Sequence, residues 1–172
     1  MKYAPWGGEH LLGTDQIGRD IFSRIIFAAR NTIGICLIAT VLALIIGTVL
    51  GIIAALDRRY IDQILSRIVD TLMSIPVMIF TFILLSVFGP SNLNLILILG
   101  ILESTRFFRI SRSVAVGQVV LEYVEVARLR GEKLSYIIFR EILPNISSPL
   151  IIEFGLRFIF IIFTISSLSF LG

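Results

Sequence analysis

The sequence predicts an all-α, polytopic membrane protein, a bundle of about four spanning helices. Of its 172 residues, 56% are hydrophobic and only 16% are charged, whereas soluble domains carry about 25% charged residues. The apolar residues are gathered into long runs, which are typical of helices that cross a bilayer. These runs lack the alternation of apolar and polar residues that marks the strands of a membrane β-barrel. Helices and closed β-barrels are the two structures in which a backbone can cross lipid, so helices are predicted. The length suits one bundle without a second domain.

The apolar runs place the spans. The first covers residues 32–56, which at about 1.5 Å per residue is enough for a hydrocarbon core of roughly 30 Å. The second run is interrupted by Gly89-Pro90-Ser91-Asn92, a sequence that favours a turn. It therefore predicts a helical hairpin with spans near 70–88 and 93–110, and the last span lies near 147–171.

Two local patterns refine these spans. Gly47 and Gly51 are four residues apart in the first span, a spacing of small residues that lets two membrane helices approach closely. Pro76 stands near the start of the second span, where it predicts a kink that adjusts helix packing.

Lysine and arginine are unevenly divided between the two sides of the predicted bundle. The connections at 57–70 and 103–146 hold ten of them, and the opposite side holds four. Because cytoplasmic loops are enriched in these residues, we place the two connections in the cytoplasm and residues 1–30 outside it. The ten are Arg58, Arg59, Arg67, Arg106, Arg109, Arg112, Arg128, Arg130, Lys133 and Arg140; the four are Lys2, Arg19, Arg24 and Arg30.

Residues 1–30 form an extracytoplasmic or interfacial segment. Apolar side chains between residues 20 and 30 share one helical face, which predicts a helix lying in the interface before the chain turns into the membrane. Gly13 and Gly18 suit turns ahead of it. His10 is the sole histidine and stands beside Glu9, so we expect it to be simply solvated.

A cytoplasmic elbow is predicted at residues 118–144. Apolar residues recur at helical spacing on both sides of Gly131, and glycine suits a tight bend between two short helices. Pro144 is expected to break the second helix before the last span. Arg128, Arg130 and Lys133 surround the tip.

Three motifs, in this order along the chain, carry a family resemblance. The stretch from His10 to Arg24 comes first, then Glu125-Val126-Ala127 with Gly131 and Leu143-Pro144, and last Ser166 to Gly172. The middle motif resembles the EAA motif of ABC importer permeases, although Val126 stands where alanine is usual and Glu141 where isoleucine is common. The chain thus resembles permease subunits of the dipeptide, oligopeptide and nickel ABC importers, and residues 31–172 would be part of a type-1 ABC transmembrane domain.

The resemblance implies a function as a permease subunit of an ATP-driven peptide importer in the bacterial inner membrane. The elbow would be the coupling helix that docks on a cytoplasmic ATPase. The implied partners are a second permease subunit, two ATPase subunits, an extracytoplasmic solute-binding protein and a peptide. ATP and magnesium would bind the ATPase subunits, and this chain would hold no cofactor or metal. The implied coupling residues are Glu125, Ala127, Arg128, Gly131 and Pro144.

The residues themselves argue against an enzyme. Gly131-Glu132-Lys133 lacks the earlier glycine and the following hydroxyl residue of a phosphate-binding loop, since Val126 and Leu134 occupy those positions. A single histidine excludes a His-rich metal site. The basic residues lie between apolar runs rather than along one face, which argues against nucleic-acid binding.

Charged residues also lie inside the predicted spans. Glu153 and Arg157 are four residues apart, in the favourable order for a helical ion pair. We interpret them as a structural pair, with direct contact to the substrate as the alternative. Glu103 and Arg106, three apart near the cytoplasmic end of their span, are interpreted as a paired or snorkelling set.

Two alternatives remain open. A nickel or metal-chelate importer would carry the same motifs. Relative to the family, the chain also lacks one span before the His10 to Arg24 stretch and one after the Ser166 to Gly172 stretch. A truncated, non-functional membrane fragment is therefore the alternative of another class.

Overall fold

The computed structural model describes residues 5–7, 10–57 and 59–171; Lys2, Glu9, Arg58 and Gly172, which enter the sequence analysis, lie outside this part. Within it, the chain forms eight α-helical segments and one π-helical segment, with two isolated β-bridges and no strand. The prediction of an all-α fold is confirmed. The chain divides into two compact units, residues 1–35 and residues 36–172.

The first helix, α1, spans Ile21–Leu56 and is 36 residues long. Asp20 caps its start, because the Asp20 carboxylate accepts hydrogen bonds from the backbone N–H and the hydroxyl of Ser23, at 2.9 and 2.6 Å. No glycine or proline occurs between Ile21 and Ile33. The separate interfacial helix expected before the first span is therefore the first part of one continuous helix.

The second apolar run is broken rather than kinked. Helices α2, Tyr60–Met73, and α3, Val77–Phe88, meet at 86°. Pro76 lacks an N–H group and disfavours the helical conformation at the residue before it. The N–H and hydroxyl of Ser74 both bond to the carbonyl of Thr71, at 3.3 and 2.7 Å, which closes α2. The predicted span 70–88 is thus not one continuous helix.

Helix α4, Asn92–Gln118, follows the predicted turn. Gly89 adopts a φ of +88°, a region that favours glycine. The hydroxyl of Ser91 accepts from the N–H of Asn94 at 3.1 Å, and the Asn94 amide donates to the Phe88 and Gly89 carbonyls at 2.9 Å. The helix continues past the expected end at residue 110, because its last two turns bury Ser111 and Ala115.

Helix α4 packs against α2, α3 and the last helix, α8, Ser147–Leu171. It also packs on α1 through the predicted glycine seam. A Cβ atom on Gly47 would lie 2.5 Å from the Cβ of Phe107 and 2.9 Å from the Phe108 nitrogen. One on Gly51 would lie 2.7 Å from the Phe108 carbonyl oxygen. The two helices therefore touch at their backbones.

Two helices in the described part are long and apolar enough to cross a membrane, namely α1 and α8. A third crossing results if α2 and α3 count as one broken span. The fourth predicted span, 93–110, lies in α4, which also carries Glu103, Arg106 and Arg109 and does not join this group. Between α4 and α8 lie α5, Glu122–Leu129; α6, Leu134–Tyr136; a π-helical turn, Ile137–Ile142; and α7, Leu143–Asn145.

Candidate functional site

The bend of the elbow is a Schellman motif that ends α5. Gly131 has a φ of +75°. Its N–H donates to the carbonyl of Arg128 at 2.9 Å, and the N–H of Glu132 reaches back to the carbonyl of Ala127 at 3.2 Å. These two bonds satisfy carbonyls that a helix end leaves open, and glycine tolerates the left-handed conformation they require. The predicted bend at Gly131 is therefore present.

One face of α5 is buried against the rest of the chain. Val124 is fully buried and Ala127 is only 4% exposed; both belong to a cluster with Ile137, Ile138 and Ile142. The small side chain of Ala127 thus serves packing inside this chain. The coupling role that the resemblance implies for Ala127 stays a prediction.

Three of the other predicted coupling residues lie on α5 or at the bend that follows it. Glu125, Arg128 and Gly131 are exposed. Leu129 is 81% exposed, and Val126 is exposed as well. We did not single out Leu129 from the sequence. Its position on the helical face opposite Val124 and Ala127 is the signal that would have identified it.

The segment after the bend is helical through Pro144, contrary to the prediction that this proline ends it. The turn before it, Ile137–Ile142, is π-helical, and Pro144 occupies the first turn of α7. The change of direction falls instead at Ile146, where φ and ψ are −105° and 6°.

A buried ion cluster joins α4 to α8. Arg157 is its centre: Nε lies 2.7 Å from Oε1 of Glu153, and Nη1 lies 3.5 Å from Oε2 of Glu103. The guanidinium also stacks 4.7 Å from the ring centre of Phe160. Glu103 and Glu153 are 4% and 7% exposed. The structure therefore places the predicted pair together and adds a second carboxyl group from another helix.

Glu103 does not behave as the sequence led us to expect. Its carboxyl group faces Arg157, 54 residues away, whereas the side chain of Arg106 is exposed. Glu103 thus makes an interhelical contact instead of a local ion pair, and the exposed side chain of Arg106 fits the snorkelling half of the interpretation. Spacing along one helix carries no information about a partner on another helix.

Two further ion pairs join α2 to α4. Arg112 binds both carboxylate oxygens of Asp62, with Nη2 2.6 Å from Oδ2. Arg109 lies 2.7 Å from Asp70. In the sequence, both arginines contributed only to the charge asymmetry that predicts which side of the membrane is cytoplasmic. Their acidic partners are 50 and 39 residues away, so no local pattern indicates the pairing.

The loop before α1 is organised by Asp15. Its carboxylate accepts from the backbone N–H groups of Ile17 and Arg19 at 2.9 Å, and from Arg24 at 2.6 Å. The bond from the Arg19 backbone N–H is the main cause that lowers the pKa of Asp15 below its usual value. Gly13 and Gly18 adopt positive φ values, as their predicted turns require.

His10 is not simply solvated. Its Nδ1 atom lies 3.3 Å from Oδ1 of Asp20, the residue that caps α1. Among the residues that the structure describes, no group of three or more His, Cys, Asp or Glu side chains is arranged to hold a metal ion.

Comparison with known proteins adds three findings. A family model described as "binding-protein-dependent transport system inner membrane component" matches residues 47–172. A dipeptide transport system permease protein of Alkalihalophilus pseudofirmus is 37% identical over 164 residues, which is 95% of this chain and 54% of that protein. A putative peptide transport system permease protein of Brucella suis is 37% identical over 172 residues, 100% of this chain and 58% of that protein. The chain spans little more than half the length of these curated relatives.

Proposed function

Because the chain belongs to the family of binding-protein-dependent transport system inner membrane components, we propose that it is a permease subunit of an ATP-driven importer for small peptides. Its place in the inner membrane follows from the family and from its apolar helices. The peptide substrate is proposed because the relatives are named as dipeptide and peptide permeases.

The elbow is the observation that carries the proposal. One face of α5 is fixed to the chain by Val124 and Ala127, and the other presents apolar Leu129 beside Arg128 and Arg130. An apolar anchor surrounded by charge is the composition of a protein-binding surface. We propose that this face docks on a cytoplasmic ATPase subunit, and that Glu125, Arg128 and Gly131 contribute to the contact.

The remaining partners follow from the same proposal. A second permease subunit would complete the pathway, two ATPase subunits would supply ATP and magnesium, and an extracytoplasmic protein would deliver the peptide. This chain would hold no nucleotide, because residues 126–134 lack the pattern of a phosphate-binding loop. It would act as a transport subunit and not as an enzyme.

Uptake of a labelled dipeptide tests the transport function. The chain is deleted from cells in which the neighbouring transport genes are intact, and it is then restored. We expect uptake to be lost on deletion and recovered on restoration. Uptake of labelled nickel is measured in the same cells. Loss of dipeptide uptake with nickel uptake unchanged would support the peptide importer, and loss of nickel uptake with dipeptide uptake unchanged would favour the metal-chelate alternative. Unchanged uptake of both solutes on deletion would contradict both.

Capture by tagged ATPase subunits tests the docking face. Leu129→Asp should reduce recovery of the chain at least tenfold, because it places a charge in an apolar contact. Leu129→Met keeps the apolar surface and should be recovered like the parent. Equal recovery of Leu129→Asp and the parent would rule out this face as the docking site.

A further inference from the structure

The cluster of Glu103, Glu153 and Arg157 has an unbalanced charge. Two carboxyl groups that are 4% and 7% exposed share one guanidinium group. With all three groups ionised, the cluster would carry one net negative charge. An isolated charge inside a membrane helix bundle is costly, so that such groups are paired or neutralised.

Among the residues that the structure describes, the elements next to the cluster offer no second buried cation. Helix α8 carries no charged residue besides Glu153 and Arg157, and α3, α7 and the part of α1 from Asn31 onward carry none. On α4, Arg109 and Arg112 bind Asp70 and Asp62 of α2. Arg67 is the remaining charged residue of α2, and its side chain is exposed. Arg106 is the remaining arginine of α4, and its side chain is exposed as well.

We propose that the cluster binds one proton, held by the carboxyl group of Glu103, which lies farther from Arg157 than that of Glu153, so that α4 and α8 are joined by an electrically neutral contact. The Glu153 carboxylate pairs with Arg157, and the Glu103 carboxylate takes up a proton from solvent to become a neutral carboxylic acid. Arg157 serves as the fixed cation, held by Glu153 on its own helix and by stacking on Phe160. The proposal is independent of the transported solute.

The single and the double glutamine variants of the cluster should differ in thermal stability. Glutamine is the neutral isostere of a protonated glutamate, so Glu103→Gln and Glu153→Gln should each leave one carboxylate for Arg157. The double variant leaves Arg157 unpaired, and Arg157→Gln leaves two carboxyl groups without a cation. The full chain, reconstituted in lipid nanodiscs, should therefore keep its melting temperature in both single variants and lose roughly 10 °C in the double variant.

The pH dependence separates this proposal from a merely structural pair. The folded cluster holds a proton that an unfolded glutamate releases at neutral pH. The melting temperature of the parent should consequently fall as the pH rises from about 6 to about 9. Each single glutamine variant should lose that fall, because its cluster no longer has a proton to release. Glu122→Gln, at an exposed carboxyl group on α5, should keep it.

A variant of Arg106 tests the rival charge balance. If Arg106 neutralised the second carboxylate, Arg106→Gln and both single glutamine variants would each lower the melting temperature at neutral pH. That outcome would overturn the proposal. So would a pH dependence that persists in Glu103→Gln and Glu153→Gln. An unchanged melting temperature in Arg106→Gln, together with loss of the pH dependence in the single glutamine variants, would support it.

Discussion

At the scale of single residues, the glycines of this chain have different structural roles. Gly51 is required because the backbone of α4 lies against it, whereas Gly131 is required for its φ of +75° with open space around it. The two roles call for different substitutions as tests. The sequence already separates them, because Gly51 lies in the small-residue spacing of the first span and Gly131 lies at the predicted bend.

Gly51→Ala should destabilise the protein. The new Cβ atom would lie 2.7 Å from the carbonyl oxygen of Phe108 and 2.9 Å from the nitrogen of Arg112, both of them backbone atoms. Separating α1 from α4 enough to admit it should lower the free energy of unfolding by about 1–3 kcal/mol. Thermal unfolding in detergent measures the loss. Gly155→Ala, in an open part of α8, is the matched control and should be neutral or slightly stabilising.

Asp15 should make the loop before α1 sensitive to acid. Because hydrogen bonds to its carboxylate lower the pKa of Asp15 in the folded state, the stabilisation is present above the usual carboxyl pKa and is lost as the pH falls below about 4. Hydrogen exchange, corrected for intrinsic rates, should show protection at the Arg19 amide that disappears in this range. Asp15→Ala, which has no side-chain acceptor, should lack this protection at neutral pH. Full protection in that variant would show that the carboxylate is not what orders the loop.

At the scale of elements, the broken second span shows how a local signal and a tertiary contact combine. Pro76 explains why α2 and α3 are separate helices. It does not explain where α2 lies. That position is held by packing of Val69 and neighbouring residues against Phe108, and by two ion pairs with α4.

The two α2–α4 ion pairs should contribute unequally. The carboxylate of Asp62 is 16% exposed and is bound through both oxygens, whereas the side chains of Asp70 and Arg109 are 55% and 54% exposed. A double-mutant cycle with Asp62→Asn and Arg112→Gln should give a coupling energy of about 1 kcal/mol, and the corresponding cycle for Asp70 and Arg109 one near zero. Equal coupling energies in the two cycles would contradict this ranking.

At the scale of the whole unit formed by residues 36–172, α4 is the central helix. It contacts α1 through the glycine seam, α2 through ion pairs and α8 through the Arg157 cluster. The elbow packs on the same core, since Val124, Ala127 and Ile138 share a buried cluster with Phe107 and Ala115 of α4. The elbow is therefore in direct packing contact with the spanning helices.

Substitutions at Gly131 test whether the geometry of the elbow matters for partner binding. Gly131→Val should reduce capture by the ATPase subunits, because a β-branched residue is strained by more than about 1 kcal/mol at this positive φ. Gly131→Asn should bind much like the parent, since asparagine tolerates the left-handed region. Gly117→Ala, at an open position near the end of α4, serves as the control. Equal capture of the valine and asparagine variants would show that the bend is not required for docking.

The sequence by itself determined the features that depend on neighbouring residues. The all-α class, the turn at Gly89, the bend at Gly131 and the pairing of Glu153 with Arg157 all follow from local apolar runs, turn residues and helical spacing. The contact surface of α1 also follows in part. The spacing of Gly47 and Gly51 predicts where another helix approaches α1, but it does not predict which helix that is. The motifs that resemble those of importer permeases are likewise features of the sequence alone.

Only the tertiary structure decided which distant residues meet. It paired Glu103 with Arg157, buried Ala127 inside the chain, and joined Asp62 to Arg112 across 50 residues. It also placed the end of the elbow helix at Asn145, one residue beyond Pro144. The physical reason is common to these cases. Burial and charge pairing between helices outweigh the preferences of a local segment. The spacing of residues along the sequence does not show which residue of another helix will be the partner.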